Sequence, residues 1–282
     1  MSILVFGRTG QVARALMDQA DVTALGRDAA DLRDPETCAR AIKDHAPAVV
    51  INAAAYTAVD RAEDDSDTAM QVNGAAPAAM ARTCASLAIP FVHISTDYVF
   101  GGQGSRRWRP DDPTDPQNAY GRSKLRGEEG VRAAGGRFAI MRTSWVFSAQ
   151  GANFVTTMLR LSETRDRLNI VDDQIGGPTP ADDIAATLLI MAQRLLNGAQ
   201  GGIYHYAGQP DTTWAGFARE IFAKADKTVV VDGIPTSAYP TPAKRPLNSR
   251  LDCDTTISDF GVTACDWRTG LSRVLAAKKD ST

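Results

Sequence analysis

Residues 3–13 read Ile-Leu-Val-Phe-Gly-Arg-Thr-Gly-Gln-Val-Ala, an apolar run closed by Gly7, with Gly10 and Ala13 following at intervals of three. Arg14, Ala15, Leu16 and Met17 then suit a helix, so the segment predicts a strand, a tight turn and a helix in that order. Such a turn lets a pyrophosphate approach the backbone amides at the helix start, provided no bulky side chain intrudes at the turn or where helix meets strand. The spacing is G-x-x-G-x-x-A rather than G-x-G-x-x-G. Glycines also end strands for chain reversal alone, so the triplet points to a dinucleotide through its place in a strand–turn–helix.

The rhythm continues outward from there. Apolar runs at 22–25, 48–52, 91–95 and 138–142 alternate with stretches rich in Ala, Arg, Leu and Glu, a pattern of alternating strands and helices. The runs are nearly continuous in hydrophobicity, as parallel strands covered on both faces require. The predicted class is therefore α/β, a Rossmann-type doubly wound parallel sheet with its ligand crevice at the carboxyl ends of the strands. After about Phe147 the rhythm loosens around GGPTP at 176–180 and PTSAYPTPAKRP at 235–246. Residues 1–147 are read mainly as a cofactor-binding domain. Residues 148–282 are read mainly as a smaller C-terminal substrate-binding lobe, with some segments returning to the core. The acidic cluster Glu63, Asp64, Asp65 reads as a solvated turn leading into a helix.

Over 282 residues, 31 basic and 33 acidic side chains leave a net charge of −2, which argues against nucleic acid as a partner. With 44% hydrophobic and 23% charged residues the chain is neither disordered nor fibrous. The apolar stretch at 185–192 falls well short of the roughly 20 residues of a membrane span, and the run at 3–6 is too short for a signal-peptide core. A soluble, cytoplasmic protein with no membrane partner is expected. Cys38, Cys84, Cys253 and Cys265 form no C-x-x-C pair, and His45, His93 and His205 are scattered. Reduced structural thiols, packed or surface imidazoles and no metal site follow.

Two features bear on chemistry. Gly26-Arg27 stands where an NAD enzyme keeps an acid for the ribose hydroxyl. A guanidinium there would pair with a 2′-phosphate, favouring NADPH over NADH, with Arg8 as a second cation; the plainer alternative is two surface arginines near a turn. The second feature joins Ser95-Thr96-Asp97-Tyr98-Val99-Phe100, at the end of the fourth strand, to Tyr120-Gly121-Arg122-Ser123-Lys124. On a helix, residues four apart share a face, so the Lys124 ammonium would lie beside the Tyr120 phenol and lower its pKa from about 10. The phenol could then exchange a proton, while the Thr96 hydroxyl holds and polarises a carbonyl.

Taken together, these motifs resemble the extended short-chain dehydrogenase/reductases and, more narrowly, the dTDP-4-dehydrorhamnose reductase family. The likeness covers nearly the whole chain. It runs through GRTGQVA at 7–13, INAAAYTAVDRAE at 51–63, Val72-Asn73, STDYVF at 95–100, NAYGRSK at 118–124 and RTSWVF at 142–147. It continues in NFV at 153–155, DDQIGGPT at 172–179 and KRPLNSRLD at 244–252. The resemblance implies an oxidoreductase that uses NADPH, with NADH possible. Its reaction would reduce the 4-keto group of dTDP-4-dehydro-6-deoxy-L-mannose to give dTDP-L-rhamnose.

By the same resemblance, Thr96, Tyr120 and Lys124 take the catalytic places. Gly7, Thr9, Gly10, Gln11, Val12, Arg27, Asp31, Leu32, Ala53, Ala54, Tyr56 and Asn73 line the cofactor together with Tyr120 and Lys124. Asp97 and Tyr98 neighbour the sugar alongside Thr96, Trp145 and Asn153 receive the nucleotide portion, and Arg245 lies near the diphosphate. The residue types agree, since an indole offers thymine a stacking face and a guanidinium forks onto phosphate. Trp145 also fits as a core aromatic beside the sheet.

One departure stands out. Some members of the family dimerise through Mg2+ held by glutamates, one of them in the helix after the glycine turn, where this chain has Ala15. With that ligand replaced, the metal bridge and Mg2+ itself stay open, as do monomer and homodimer. The stretch Gly101–Pro110, with Arg106, Arg107 and Arg109, is basic without a functional account. Rival readings are a nucleotide-sugar 4,6-dehydratase or epimerase, a reductase or epimerase-reductase for another nucleotide-4-keto-6-deoxysugar, and a non-catalytic subunit resembling the regulatory subunit of methionine adenosyltransferase. Dehydratases of the superfamily resemble this pattern but place Asp-Glu after the strand-end Thr, where this chain has Asp97-Tyr98. An intact Tyr120/Lys124 pair argues against a retired site.

Overall fold

In a computed structural model of the chain, which describes residues 2–279, all five apolar runs are strands. They are β1 (Ile3–Phe6), β2 (Thr23–Leu25), β3 (Val49–Asn52), β4 (Phe91–Thr96) and β5 (Phe138–Thr143). Between them lie α1 (Gln11–Gln19), α2 (Pro35–His45), the short α3 (Ser66–Met70), α4 (Ala76–Ser86) and α5 (Ala119–Ala134). Later strands are β6 (Val146–Phe147), β7 (Arg167–Val171), β8 (Ile175–Gly176), β9 (Thr179–Pro180), β10 (Gly202–His205), β11 (Thr212–Thr213), β12 (Val230–Ile234) and β13 (Asn248–Ser249). The later helices are α6 (Phe154–Leu161), α7 (Ala181–Leu196), α8 (Trp214–Lys224), α9 (Asp254–Phe260) and α10 (Trp267–Lys279).

The main sheet runs β10-β5-β4-β3-β1-β2, and every pairing in it is parallel. Strand order reverses between β1 and β3, where a doubly wound sheet opens its crevice. Alternate residues of each strand feed opposite layers. Ile3 and Val5 join Ala15, Leu16, Ile184 and Leu188 beneath α1 and α7, while Leu4 and Phe6 join Ile42, Met80 and Ile140 on the other face. Each of the larger side chains buried this completely, Ala15 excepted, contributes about 1.5–3 kcal/mol relative to exposure. A third cluster, with Phe147, Val155, Phe217, Ile221, Trp267 and Leu271, forms the core of a lobe built from α6, α8 and α10.

The strand β10 has no signal in the sequence. Gly-Ile-Tyr-His is short and mixed, and it becomes a strand by pairing with β5, Ile203 opposite Ile140 and His205 opposite Arg142. The apolar stretch at 185–192 is the middle of α7, packed on α1, and Ala15 is buried in that contact. The four thiols are buried and free. Among the described residues, no helix is long and apolar enough to cross a membrane.

Candidate functional site

At the end of β1 the backbone of Gly7 has φ +112°, and a Cβ there would fall 3.2 Å from the Ala53 carbonyl carbon and 3.3 Å from the Ala54 nitrogen. Only glycine satisfies both demands without strain. Gly10 is the N-cap of α1, with no side chain capping the helix and nothing within 4 Å of the position a Cβ would take. The first amides of α1 therefore face open space at the positive end of the helix dipole, as an anionic phosphate requires. That space is a cleft of about 980 Å³ across the carboxyl ends of the sheet.

Most of the expected residues line this one cleft. Gly7, Thr9, Gly10, Gln11, Val12, Ala53 and Ala54 stand at the glycine turn; Arg27, Asp31 and Leu32 at the end of β2; Thr96, Asp97, Tyr98, Tyr120, Lys124 and Trp145 at the far end. Next to Arg27 the wall also carries Asp28, a carboxylate that the motif reading passed over. Arg8 lines the cleft as well. Asp31 is held by Arg33, whose Nε and Nη2 both donate to its Oδ2, and this neighbour keeps the carboxyl below the usual carboxylate range. The β2 end is therefore a mixed-charge surface.

The far end is organised by α5. Asn118 Oδ1 accepts from Gly121 N at 2.7 Å, and Glu63 Oε1 accepts from Ala119 N at 2.7 Å, so an amide oxygen and a carboxylate oxygen fix the first turn. The acidic turn is thus more than a solvated surface: Glu63 seats α5, and Asp65 Oδ2 accepts from the Tyr56 hydroxyl at 3.1 Å. A Cβ at Gly121 would meet Tyr98 O at 2.3 Å and one at Gly127 would meet Asn73 O at 2.1 Å, so these glycines let α5 sit directly on the segments it positions.

Tyr120 and Lys124 lie one turn apart and both face the cleft. Lys124 is buried, and its Nζ donates to Ile94 O at 2.6 Å. Desolvation brings its pKa down to about 8, with Glu128 pulling the other way. The expected effect on Tyr120 is reversed. Burial pushes the phenol up, the Thr96 hydroxyl opposes this, Asp97 adds to it, and Lys124 is not among the groups that move it. The ammonium is spent on a carbonyl rather than on the phenol. A phenol held protonated is nevertheless the form that donates a proton.

Around this pair several polar atoms lack partners. Thr96 Oγ1 donates to Asp97 Oδ1 at 3.0 Å and accepts from Tyr98 N at 3.2 Å. Desolvation raises the Asp97 pKa to about 6, with the Ser249 and Thr96 hydroxyls pulling it back down. Ser95 Oγ and Thr143 Oγ1 are buried atoms of cleft-lining residues with no partner among the described residues. Each such atom costs about 1–3 kcal/mol unless water or a ligand satisfies it. The chemistry of the set suits a polyhydroxylated ligand.

Four expected residues are not brought to the cleft wall. Asn73 lies in a π-helical stretch, Gln71–Ala75, and bonds Tyr56 N at 2.8 Å, Tyr56 O at 3.0 Å and Ser123 Oγ at 3.0 Å, bracing the loop and α5 from behind. Tyr56 is turned to Asp65. Asn153 caps α6 through Thr156 N, and its Nδ2 donates to Gln11 Oε1 at 3.0 Å. Arg245 Nη2 donates to Asp60 Oδ2 at 2.7 Å, an ion pair in place of a free anion site. Trp145 does line the cleft, in a left-handed backbone conformation at φ +49°, stacked 3.6 Å from Trp214. A non-glycine residue held there costs about 1–3 kcal/mol, and such strain concentrates at ligand-binding sites.

The chain matches the family described as RmlD substrate binding domain over residues 1–279. It belongs to that family. The chain is 46% identical to a dTDP-4-dehydrorhamnose reductase of Burkholderia thailandensis over 285 residues, 95% of this chain and 96% of that protein. It is 42% identical to one of Sinorhizobium fredii over 288 residues, 98% of this chain and 97% of that protein. Among solved structures, a dTDP-4-dehydrorhamnose reductase from Clostridium acetobutylicum superposes with a TM-score of 0.92 at 33% identity, covering 99% of this chain and 100% of that one. One from Bacillus anthracis, in complex with NADP, gives 0.91 at 29% identity, covering 98% and 99%. A UDP-glucose 4-epimerase at 14% identity, TM-score 0.82, shares the fold alone.

Within this RmlD-family chain the basic loop now has a structural account. Arg106 pairs with Asp112 at 2.6 Å, Arg107 with Asp211 at 3.2 Å and Arg109 with Asp252 at 3.9 Å. Trp108 joins it to the C-terminal part of the chain through Asn248 O, and Trp108 N bonds Arg250 O. Arg106 braces the loop on itself, while Arg107 and Arg109 are cross-links to distant segments. The acids of Arg107 and Arg109 lie about a hundred and a hundred and forty residues away in sequence, so no local signal could have found those two.

Proposed function

We propose that this chain is a dTDP-4-dehydrorhamnose reductase that uses NADPH, reducing the 4-keto group of dTDP-4-dehydro-6-deoxy-L-mannose to dTDP-L-rhamnose in the cytoplasm. The observation that carries the reading is that one cleft gathers the uncapped glycine turn of α1, Thr96, Tyr120 and Lys124. The named relatives are reductases of this kind. The open space before Gly10 and the free α1 amides fit a dinucleotide pyrophosphate. Arg8 and Arg27 fit the 2′-phosphate of NADPH, while Asp28 leaves room for use of NADH. Residues 1–147 would mainly hold the cofactor and 148–282 mainly the sugar nucleotide, as a monomer or homodimer.

When bound, NADPH supplies a hydride to the C4 carbon. The protein's part is to complete the alcohol and to hold the ketone in place. Tyr120 gives its phenolic proton to the ketone oxygen, so a C–H and an O–H bond form as the C=O double bond is lost. Thr96 turns its hydroxyl to that oxygen, which frees Asp97 to accept from a sugar hydroxyl. Lys124 keeps a positive charge beside the reacting end, and Trp145 offers an indole to the thymine.

The test is consumption of NADPH in stoichiometric amounts with enzymatically prepared dTDP-4-keto-6-deoxy-L-sugar, compared with NADH. No consumption of either nicotinamide on this sugar would remove the reading. A dehydratase or simple epimerase would recycle its cofactor and show no net consumption.

A further inference from the structure

Arg142 Nε donates to Glu128 Oε1 at 2.9 Å and Nη2 to Oε2 at 2.6 Å, and the two side chains are only 3% and 2% exposed. The reaction just described leaves this pair unused. Burying two charges is costly, and apolar residues of similar volume often serve stability as well, so a forked pair at this depth asks for a second role. Its surroundings suggest one. Glu128 stands one turn after Lys124 on α5, on the same face. Arg142 lies opposite Ser95 in the β4–β5 register and directly precedes Thr143. Arg142 Nη1 also donates to Pro110 O at 3.1 Å, and its guanidinium lies 4.9 Å over the Phe100 ring. Three borders of the cleft are thus tied together at one point: the helix carrying Tyr120 and Lys124, the end of β5, and the segment that continues from Asp97 into the basic loop.

We propose that Glu128 and Arg142 are positioning residues for the reductase reaction: their paired charges fix the turn of α5 that carries Lys124 and set the charge balance at its ammonium. The proposal rests on Lys124 serving the reaction as read above. Lys124 is faced by Tyr120 and Glu128 from α5 itself and by His93 from β4, where desolvation holds the imidazole neutral. Arg142 stands behind Glu128 on β5, and Asp97 and Tyr98 lie in the turn after β4. Glu63, from the turn before α3, is engaged with Ala119 N and Arg122, while Asp67 of α3 and Arg82 of α4 are exposed. Glu128 is the acidic group that acts on Lys124, and it works against the desolvation of that lysine. Removing its charge while Arg142 stays leaves a cation near the ammonium with no counter-charge.

The experiment compares wild type, Glu128→Gln and the double variant Glu128→Leu/Arg142→Met, each checked for folding by thermal melting. Two pH profiles are measured, one for kcat/KM and one for the Kd of NADPH followed by its fluorescence. Glu128→Gln should move the alkaline limb of both profiles down by about one pH unit. The double variant, which loses both charges and keeps an apolar filling, should move them down by less. Limbs that stay at the wild-type pH in a folded double variant overturn the proposal and leave the pair a structural brace, and this holds even if Glu128→Gln fails to fold. If wild type reduces no dTDP-ketosugar but the Kd profiles shift in this order, the functional reading fails, and with it the role in the reductase reaction, while the hold of the pair on Lys124 at the cofactor site stands.

Discussion

Lys124 Nζ donates to the carbonyl oxygen of Ile94 at 2.6 Å, which ties the second turn of α5 to the strand whose end carries Thr96. Burial of the two side chains beside it decides how the site titrates. Desolvation pushes the Tyr120 phenol up and brings the Lys124 ammonium down, so the phenol keeps its proton while the lysine loses its charge first.

The activity should therefore have an alkaline limb set by Lys124 rather than by Tyr120. With the ammonium brought down to about 8, kcat/KM is expected to fall as pH rises through that value. A limb near the ordinary phenol value of about 10 would contradict this assignment.

Asp97 sets the acid side. Its pKa is raised from 3.8 to about 6, so activity should fall below about pH 6 as it takes up a proton, and Asp97→Asn should remove that limb. Stability runs the opposite way. A carboxyl with a raised pKa stabilises the fold when protonated, below the unfolded value of 3.8, and this contribution is lost as pH rises through about 6. Asp97→Asn is expected to raise the melting temperature at pH 7, by at most about 3 kcal/mol of stability, and to give little gain at pH 4. Calorimetry at the two pH values checks the sign.

Tyr120→Phe removes the proton donor and leaves the ring in place against Tyr98, 5.5 Å away edge to face. Turnover should drop by roughly 10² to 10⁴-fold with the NADPH Kd unchanged. A variant with near-normal turnover would take Tyr120 out of the mechanism.

The two glycines of the first turn should fail differently. Gly7→Ala places a Cβ against Ala53 at φ +112° and is expected to cost about 1–3 kcal/mol of stability, read as a lower melting temperature. Gly10→Ala meets nothing within 4 Å in the protein, so the melting temperature should barely move while NADPH binding weakens. Equal losses of stability would refute the idea that the space before Gly10 belongs to the cofactor.

Arg27 lines the β2 end of the cleft beside Asp28. Losing a charge-assisted contact to phosphate costs about 1.5–3 kcal/mol, so Arg27→Ala should raise KM for NADPH roughly tenfold or more and leave KM for NADH nearly unchanged. Parallel rises for both nicotinamides would point to a general loss of binding.

The strands, the turn at Gly7 and Gly10, and the Tyr120/Lys124 spacing were legible in the chain because each depends on neighbours within a few residues: apolar runs, a backbone with positive φ, a helical period. Residue type and local spacing determine those. Side-chain partners are another matter. Lys124 finds Ile94, Arg245 finds Asp60, Arg107 finds Asp211 and Arg142 finds Glu128 only when separate elements are packed together. The strand β10 exists because β5 offers it an edge. The direction of the Tyr120 shift lies beyond local spacing for the same reason, since desolvation depends on everything that surrounds the ring and spacing along one helix reports on a single neighbour. Local geometry thus came from the order of residues, while charge state and pairing came from burial, which is a property of the assembled fold.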